Sequence, residues 1–507
     1  MAGALDYLQK LSNNDWLTTD QPHDFLSLTQ NYYQQLAPFV DQKLIPKILI
    51  ADPDPIRFLA KFLAVTAAEL PVFLGNHQWG DQEWQQVEEL IQPNLIWKEE
   101  LLLANKLIPE LIPEIKSNWI MIPTGGSSGK VKFAIHTWQT LSASVAGLQS
   151  YFQTPVINSY CVLPVYHVSG LMQFMRSLLT GGKLIITTSK HLESNTNFDI
   201  NPQDFFISLV PTQLQKLLDN PQASAWLSQF QAVFLGGGAA WSALLDQARN
   251  LQIPLALTYG MTETASQIVT LKPQDFLAGN NSCGQVLPHA RISFQVPVCR
   301  SPPAPLQKGG EGMEVPLFKG DLGGSIAIQS NSLALGYYPH PWVASCEFTN
   351  DQFVNILETD DLGYLDPEDY LYITGRQSLM IITGGEKVFP PEVEAVILAT
   401  QLVEDICVLG LPDPYWGEVV AAVYVPVNQE VNIKANLAIL QDEIAAIEAA
   451  IASHLTQHLA KYKHPKLWFP RANLPRNSQG KINYPNLRQI LSESNRVGVF
   501  PHQTPLG

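Results

Sequence analysis

A chain of 507 residues with 46% hydrophobic and 15% charged content holds enough apolar material for several domains and too little charge for a disordered polymer. Lys plus Arg number 31 against 46 Asp plus Glu, a formal charge of −15 that disfavours nucleic acid and anionic lipid as non-specific partners. Any anionic ligand must therefore meet locally placed cations.

The amino-terminal stretch MAGALDYLQKLSNNDWLTTDQ meets acidic and polar residues too early for a signal peptide, and no apolar run reaches the roughly 18 residues of a membrane-spanning helix. Further on, KILIAD (47–52) and LPVFLGN (70–76) alternate with helix-like stretches, a βα rhythm that predicts parallel sheets flanked by helices. The rhythm continues through SYCVLPV (159–165), GKLIITT (182–188), FFISLVP (205–211) and AVFLGGG (232–238), β-branched or aromatic runs closed by turn residues. From about residue 283 the texture becomes rich in Pro and Gly and reads as a smaller β-rich subdomain. After YLYITGR (370–376), the runs EVEAVIL, EDICVLG and VAAVYVPV read as a small α+β domain, and the Ala- and Glu-rich stretch 436–460 reads as a helix. The expected fold class is α/β. It comprises a large N-terminal domain, 1–376, with parallel-type sheets and a β-rich subdomain, a small mobile α+β C-terminal domain, 377–492, and a flexible tail, 493–507. The cysteines, Cys161, Cys283, Cys299, Cys346 and Cys407, are odd in number, widely spaced and without CxxC pairs, which argues against a disulfide framework or zinc site and for a reducing, cytoplasmic setting.

The stretch TGGSSGK (124–130) follows the apolar WIMIP and precedes the helix-like TWQTLSASVAGLQS. It is not a Walker A loop, because Thr124 stands where the first glycine belongs and Val131 follows Lys130 where a magnesium-binding hydroxyl is required. Its backbone N–H groups, small hydroxyls and lysine can still hold phosphate oxygens; by itself the stretch reads equally well as a surface turn.

Other motifs decide between these readings. In order along the chain, TGGSSGK, YGMTETASQ (259–267), DLGYLDPEDYLYITGR (361–376) and LPRNSQGK (474–481) resemble the TSGTTGK, YGxTE, GDLGYxDxxGYxxxxGR and PRNxxGK signatures of the acyl-adenylate-forming superfamily, which includes acyl-CoA synthetases, peptide-synthetase adenylation domains and firefly-type luciferases. A further likeness lies at GGEKVFPPEVEAVI (384–397). The resemblance implies an ATP-dependent ligase that joins a carboxylate to the α-phosphate of ATP, expels pyrophosphate and hands the acyl group to coenzyme A. Two anions must then approach, so cations and N–H groups must offset their repulsion.

Carried onto this chain, the loop implies phosphate contacts from Thr124, Ser127, Ser128 and Lys130, with Gly125, Gly126 and Gly129 allowing close backbone approach. Gly125 replaces a serine of the family pattern. Glu263 stands where the family carboxylate holds Mg²⁺, and Thr262 where the α-phosphate is touched; a helix-capping box is the bland alternative. Tyr259 offers an aromatic face to the adenine, with Gly236, Gly237 and Gly238 giving room beside it. Asp361 and Arg376 correspond to the ribose-binding pair, and Asp360, where glycine is usual, reads as a solvated neighbour. Lys481 corresponds to the lysine that bridges carboxylate and α-phosphate. Ser378 occupies the hinge position, beside Leu379 where an acid is common. Rotation there would withdraw Lys481 and present Gly384 and Gly385 to the pantetheine arm, with Lys461, Lys463 and Lys466 as possible phosphate contacts.

Within the superfamily, YGMTETASQIVTL, LPVYHVSGLM and the short amino-terminal domain resemble the o-succinylbenzoate–CoA ligases of menaquinone and phylloquinone biosynthesis. A dianionic acid needs a cation away from the phosphates. His167, Ser169 and Arg176 form one candidate wall, His167 being also a catalytic candidate, and Ser266 and Gln267 another. The bland readings are a core histidine and an arginine that caps a helix or pairs with an acid. The partners implied are small molecules, ATP, Mg²⁺, coenzyme A and the acid, with no nucleic acid and with oligomeric state open. Alternatives are a CoA ligase for another aromatic or fatty acid, an acyl-AMP ligase serving a carrier protein, and a non-catalytic nucleotide or acyl-ligand sensor.

Overall fold

The computed structural model describes residues 4, 7, 16–19, 24–103, 115–125, 131–188, 192, 200–238, 240–295, 323–341, 356–427, 437–476 and 482–496. The chain divides into two compact units. One comprises Met1–Ala239, Gln247–Ile292 and Ile328–Leu357; the other comprises Ala240–Asp246, Ser293–Ala327 and Glu358–Gly507.

The first unit is built on two eight-stranded sheets. In one, the strands Leu17–Thr19, Leu184–Ile186, Asn158–Cys161, Phe205–Leu209, Ala232–Leu235 and Leu255–Met261 run parallel, and Ser266–Thr270 and Gln285–Val286 close the edge antiparallel. In the other, Ile120–Gly125, Val72–Leu74, Ile48–Ile50 and Leu95–Trp97 are parallel. Antiparallel Val131–His136 and Leu101–Leu103 flank them. Runs such as ILI at 48–50 and AVFL at 232–235 are buried throughout, as expected of parallel strands covered by helices on both faces.

Helix ends follow local chemistry. Pro55–Ala67 starts with Asp54 accepting from the Arg57 N–H, and proline at its first position needs no donor. Trp138–Phe152 starts at Thr137, whose hydroxyl accepts from the Thr140 N–H at 3.3 Å while Thr140 Oγ1 takes the Thr137 N–H at 3.0 Å. Val168–Thr180 ends at Gly181, φ +71°, a left-handed cap that suits glycine. On the helix Pro55–Ala67, Lys61 is fully buried, its ammonium donating to Asp52 at 2.5 Å and to the carbonyls of Lys98 and Glu99, with Tyr32 and Trp97 rings about it.

The second unit contains the antiparallel pair Ile356–Leu365 and Leu371–Arg376, in which Asp361 faces Arg376 across the ladder. It also contains a five-stranded sheet, with Gly417–Pro426 at its centre between Val403–Asp413 and the parallel strand Leu467–Pro470. Ile381, Val393, Ile397, Val420, Tyr424, Ile451 and Leu455 pack one of its cores. EVEAVIL lies in the helix Pro390–Leu398, and the Ala- and Glu-rich stretch forms the helix Leu437–His458. The last helix continues to Arg496, past residue 493 where a tail is expected.

Candidate functional site

The YGMTETASQ stretch leaves the strand Leu255–Met261, makes one tight turn at Thr262–Thr264 and returns as the strand Ser266–Thr270. Two consecutive non-glycine residues, Ala265 at φ +51° and Ser266 at φ +96°, hold the sparsely populated left-handed region. Such a turn persists only if its surroundings determine it, and here every carbonyl of 262–265 is caught from elsewhere. His136 Nε2 donates to Thr262 O at 2.8 Å, Ala334 N to Glu263 O at 2.7 Å, Ser332 Oγ to Thr264 O at 2.9 Å and Ser144 Oγ to Ala265 O at 2.7 Å. His136 is neutral because burial depresses its pKa to about 4, which fixes Nε2 as the proton-bearing nitrogen toward that carbonyl. The Glu263 side chain, 7% exposed, accepts a 2.5 Å hydrogen bond on Oε1 from the Tyr337 hydroxyl, and among the described residues Oε2 carries none. Burial, and then the neighbouring Glu263 charge, raises the Tyr337 phenol well above its ordinary pKa, so it remains a donor. The capping-box alternative for Thr262 is not what forms: the turn is three residues long and leads into a strand.

Arg176 lies on the helix Val168–Thr180 and is 3% exposed. Its Nη2 donates to Ser266 Oγ at 3.0 Å and to Gln267 Oε1 at 2.6 Å, so the two walls inferred separately from the sequence are one cluster. The guanidinium packs 5.6 Å from the Phe234 ring centroid. It neither caps a helix nor pairs with an acid: no carboxylate faces it among the described residues, and Arg176 Nε and Gln267 Nε2 are buried without a partner. Desolvation lowers its pKa to about 10, which leaves it charged at neutral pH. His167 precedes the first turn of the same helix, its backbone carbonyl accepting from Gly170 and Leu171 and its ring 4.6 Å from that of Tyr166. Ser169 sits in that first turn, partly buried.

The glycine loop differs from the sequence expectation in one respect. The strands on either side of it, Ile120–Gly125 and Val131–His136, pair antiparallel, with Thr124 opposite Lys132 and Gly125 opposite Val131, so a strand and not a helix follows the motif. The helix Trp138–Phe152 begins only after the second strand, and the apolar alternation of VKFAIH explains why that strand exists. Gly126, Ser127, Ser128, Gly129 and Lys130 lie outside the described residues. Gly236 follows the strand Ala232–Leu235, where a Cβ would come within 2.5 Å of Thr258 Oγ1; Gly237 is left-handed at φ +81°, and the space beside Gly238 is open. Tyr259, half-buried, is near the end of the adjacent parallel strand.

In the second unit, Arg376 Nε donates to Asp361 Oδ1 at 3.0 Å, and Asp361 is 7% exposed while the arginine side chain is 51% exposed. Asp360 is exposed but is more than a solvated neighbour: its carboxylate accepts from both the Ser378 N–H, at 3.0 Å, and the Ser378 hydroxyl. Gly384 and Gly385 are left-handed at φ +60° and +87°, and a Cβ on Gly384 would press into the Trp416 ring at 2.7 Å. Lys466 Nζ lies 3.6 Å above that ring's centroid. Lys463, grouped with it on sequence grounds, is instead bound to Glu392 at 2.6 and 2.7 Å. Lys481 lies outside the described residues; the flanking Arg476 and Ile482 form an antiparallel bridge.

His136, Ser144, Ser332 and Tyr337 are absent from the sequence-based set. Each reaches its partner across 68 to 126 residues of chain, so no local spacing announces it.

Residues 75–338 match the AMP-binding enzyme model, and 392–481 match that of the AMP-binding enzyme C-terminal domain. The chain belongs to the AMP-binding enzyme family. Among curated relatives it is 32% identical over 373 residues to the 2-succinylbenzoate–CoA ligase of Oceanobacillus iheyensis, covering 72% of this chain and 68% of that one. It is 31% identical over 365 residues to the enzyme of the same name from Enterococcus faecalis, covering 71% and 67%. The o-succinylbenzoate CoA synthetase of Bacillus subtilis, solved with the acyl-adenylate OSB-AMP, shares the fold at a TM-score of 0.73 and 22% identity over 99% of both chains. ATP-bound MatB from Rhodopseudomonas palustris does so at 0.74 and 20%, over 97% and 99%.

Proposed function

We propose that this protein is an AMP-forming, ATP-dependent acid–CoA ligase whose acid is 2-succinylbenzoate (o-succinylbenzoate), acting in menaquinone or phylloquinone biosynthesis. The observation that carries the choice of acid is Arg176, a buried guanidinium whose described partners, Ser266 and Gln267, are both neutral. An isolated buried cation is costly, and an acid with a second carboxylate remote from the reacting one supplies the counter-charge. The relatives named above support the same acid.

In this reading the substrate's ring carboxylate meets Arg176, with Ser266, Gln267, Ser169 and His167 around it. Glu263 fits Mg²⁺, being a buried hard-oxygen donor with Oε2 open; when bound, that ion offsets phosphate charge. Thr124 and the 125–130 loop hold the β- and γ-phosphates, and Thr262 touches the α-phosphate. Tyr259 and Gly236–Gly238 receive the base, and Asp361 with Arg376 the ribose. Lys481 neutralises the approaching carboxylate and α-phosphate oxygens, so that the acyl oxygen can attack phosphorus while pyrophosphate leaves. A turn at Ser378, within the 1–376 and 377–492 domain division, then exchanges Lys481 for the Gly384–Gly385 segment. Coenzyme A approaches past Trp416 and Lys466, and its thiol displaces AMP from the acyl carbon. We propose a cytoplasmic location, where ATP and coenzyme A are both at hand. No helix among the described residues is long and apolar enough to cross a membrane.

The test is to follow AMP and thioester together with ATP, Mg²⁺, coenzyme A and a panel of 2-succinylbenzoate, benzoates, cinnamates and fatty acids. Only the first should turn over efficiently. Arg176→Met should raise its KM by roughly 10- to 100-fold, the loss of a hydrogen-bonded charge partner, while leaving the KM for ATP unchanged. Faster turnover of a fatty acid or cinnamate would remove the substrate assignment, and AMP without thioester would favour a carrier protein as acceptor.

A further inference from the structure

We infer that Tyr337, with the donors that hold the 262–265 carbonyls, is the positioning residue for the metal-binding carboxylate of Glu263: it commits Oε1 and leaves Oε2 to face the cation. This rests on the reading of Glu263 as the ligand for Mg²⁺ on ATP.

The geometry has independent parts that agree. Tyr337 lies on the two-residue strand Gly336–Tyr337, paired opposite Ala134 on the Val131–His136 strand. That strand also carries His136, the donor to Thr262 O. The same backbone stretch that leads to Tyr337 supplies Ser332 and Ala334 to the carbonyls of Thr264 and Glu263. One segment, 332–337, therefore grips the backbone of the turn and the carboxylate it presents. Lys132, on the Val131–His136 strand as well, lies with its ammonium over the face of the Tyr337 ring, 5.3 Å from its centroid.

A carboxylate on a flexible stem can rotate either oxygen toward a cation, and a 2.5 Å hydrogen bond to one oxygen removes that freedom. Partners of this kind behind a metal ligand typically govern about 10- to 100-fold in metal affinity. The hydroxyl also carries no charge of its own, so it orients the carboxylate without cancelling its attraction for a divalent ion.

The experiment uses Tyr337→Phe in the full chain, with Mn²⁺ as the paramagnetic probe. Binding of ATP is measured calorimetrically with chelator and with Mn²⁺, and the bound ion is followed by electron paramagnetic resonance. The expected result is metal-free ATP binding equal to wild type, with Mn²⁺–ATP binding weakened about 10- to 100-fold and thermal stability in the absence of ligand little changed. Ser332→Ala, which loosens the backbone but leaves the carboxylate bond, should give the same pattern at smaller amplitude. Unchanged Mn²⁺–ATP affinity in Tyr337→Phe overturns the inference, as does equal weakening with and without metal, which would mark a purely architectural role. If wild type itself gains no ATP affinity from Mn²⁺, and Glu263→Gln behaves like it, the reading of Glu263 fails instead.

Discussion

Asp360 clasps Ser378: one carboxylate accepts both the backbone N–H and the hydroxyl of the residue proposed above as the hinge. Where the superfamily usually has glycine, this chain has placed an acceptor 18 residues upstream of the pivot. A domain turn that changes the Ser378 backbone must release both bonds. Asp360→Gly should therefore alter the ratio of the two half-reactions, pyrophosphate exchange and thioester formation, by severalfold, as expected from about 1 kcal/mol of exposed, charge-assisted hydrogen bonding. Rates of both half-reactions that move together, or not at all, would dismiss the clasp as a brake.

Acid should shift the stability of the two units in opposite directions. His136 and His289 are each held near pKa 4 by burial, so the unfolded chain takes up their protons first as pH drops below about 6.5. Stability of the first unit is then lost between about pH 6.5 and 4, on the order of 3 kcal/mol for each imidazole. Glu394, in the second unit, is raised to about 7 by burial, so that unit binds its proton more tightly when folded and loses stability as pH rises from about 4.5 to 7. Urea titrations across this range, read from probes in each unit, check the signs. His289→Leu should flatten the acid limb and Glu394→Gln the opposite one; a variant slope identical to wild type would contradict the assignment.

Lys61 and Asp52 form a fully buried ion pair. Asp52→Asn strands the Lys61 ammonium and should cost roughly 3 to 5 kcal/mol of unfolding free energy, whereas Lys61→Met leaves Asp52 paired with Arg57 and should cost less. The double variant should recover a large part, because no lone charge remains, although Arg57 also loses its bonds to Asp52. Strict additivity in denaturant unfolding would show that the pair is not coupled.

Much of this protein is legible along the chain because its cues are local. The buried strands at 48–50 and 232–235 announce themselves as β-branched and aromatic runs, and the Glu263, Asp361 and Lys481 motifs are contiguous words. The strand that follows the glycine motif is harder to read, since VKFAIH sits beside a loop that draws the eye past a six-residue strand. Tyr337 and Ser332 are harder still. Their hydroxyls matter only because sheet pairing carries them to a turn some seventy residues away, and a lone tyrosine in GYYPHP has no spacing that says so. Asp360 reads as a bystander until the 18-residue return of the chain brings Ser378 against it.

The turn bearing Glu263 takes its form from oxygen atoms of the main chain, which any amino acid possesses, grasped by His136, Ala334, Ser332 and Ser144. Architecture and reactivity thus reside in different atoms of the same short segment. Evolution, or an engineer, can rewrite the functional groups at 262 and 263 to suit another reaction while the loop beneath them keeps its contour.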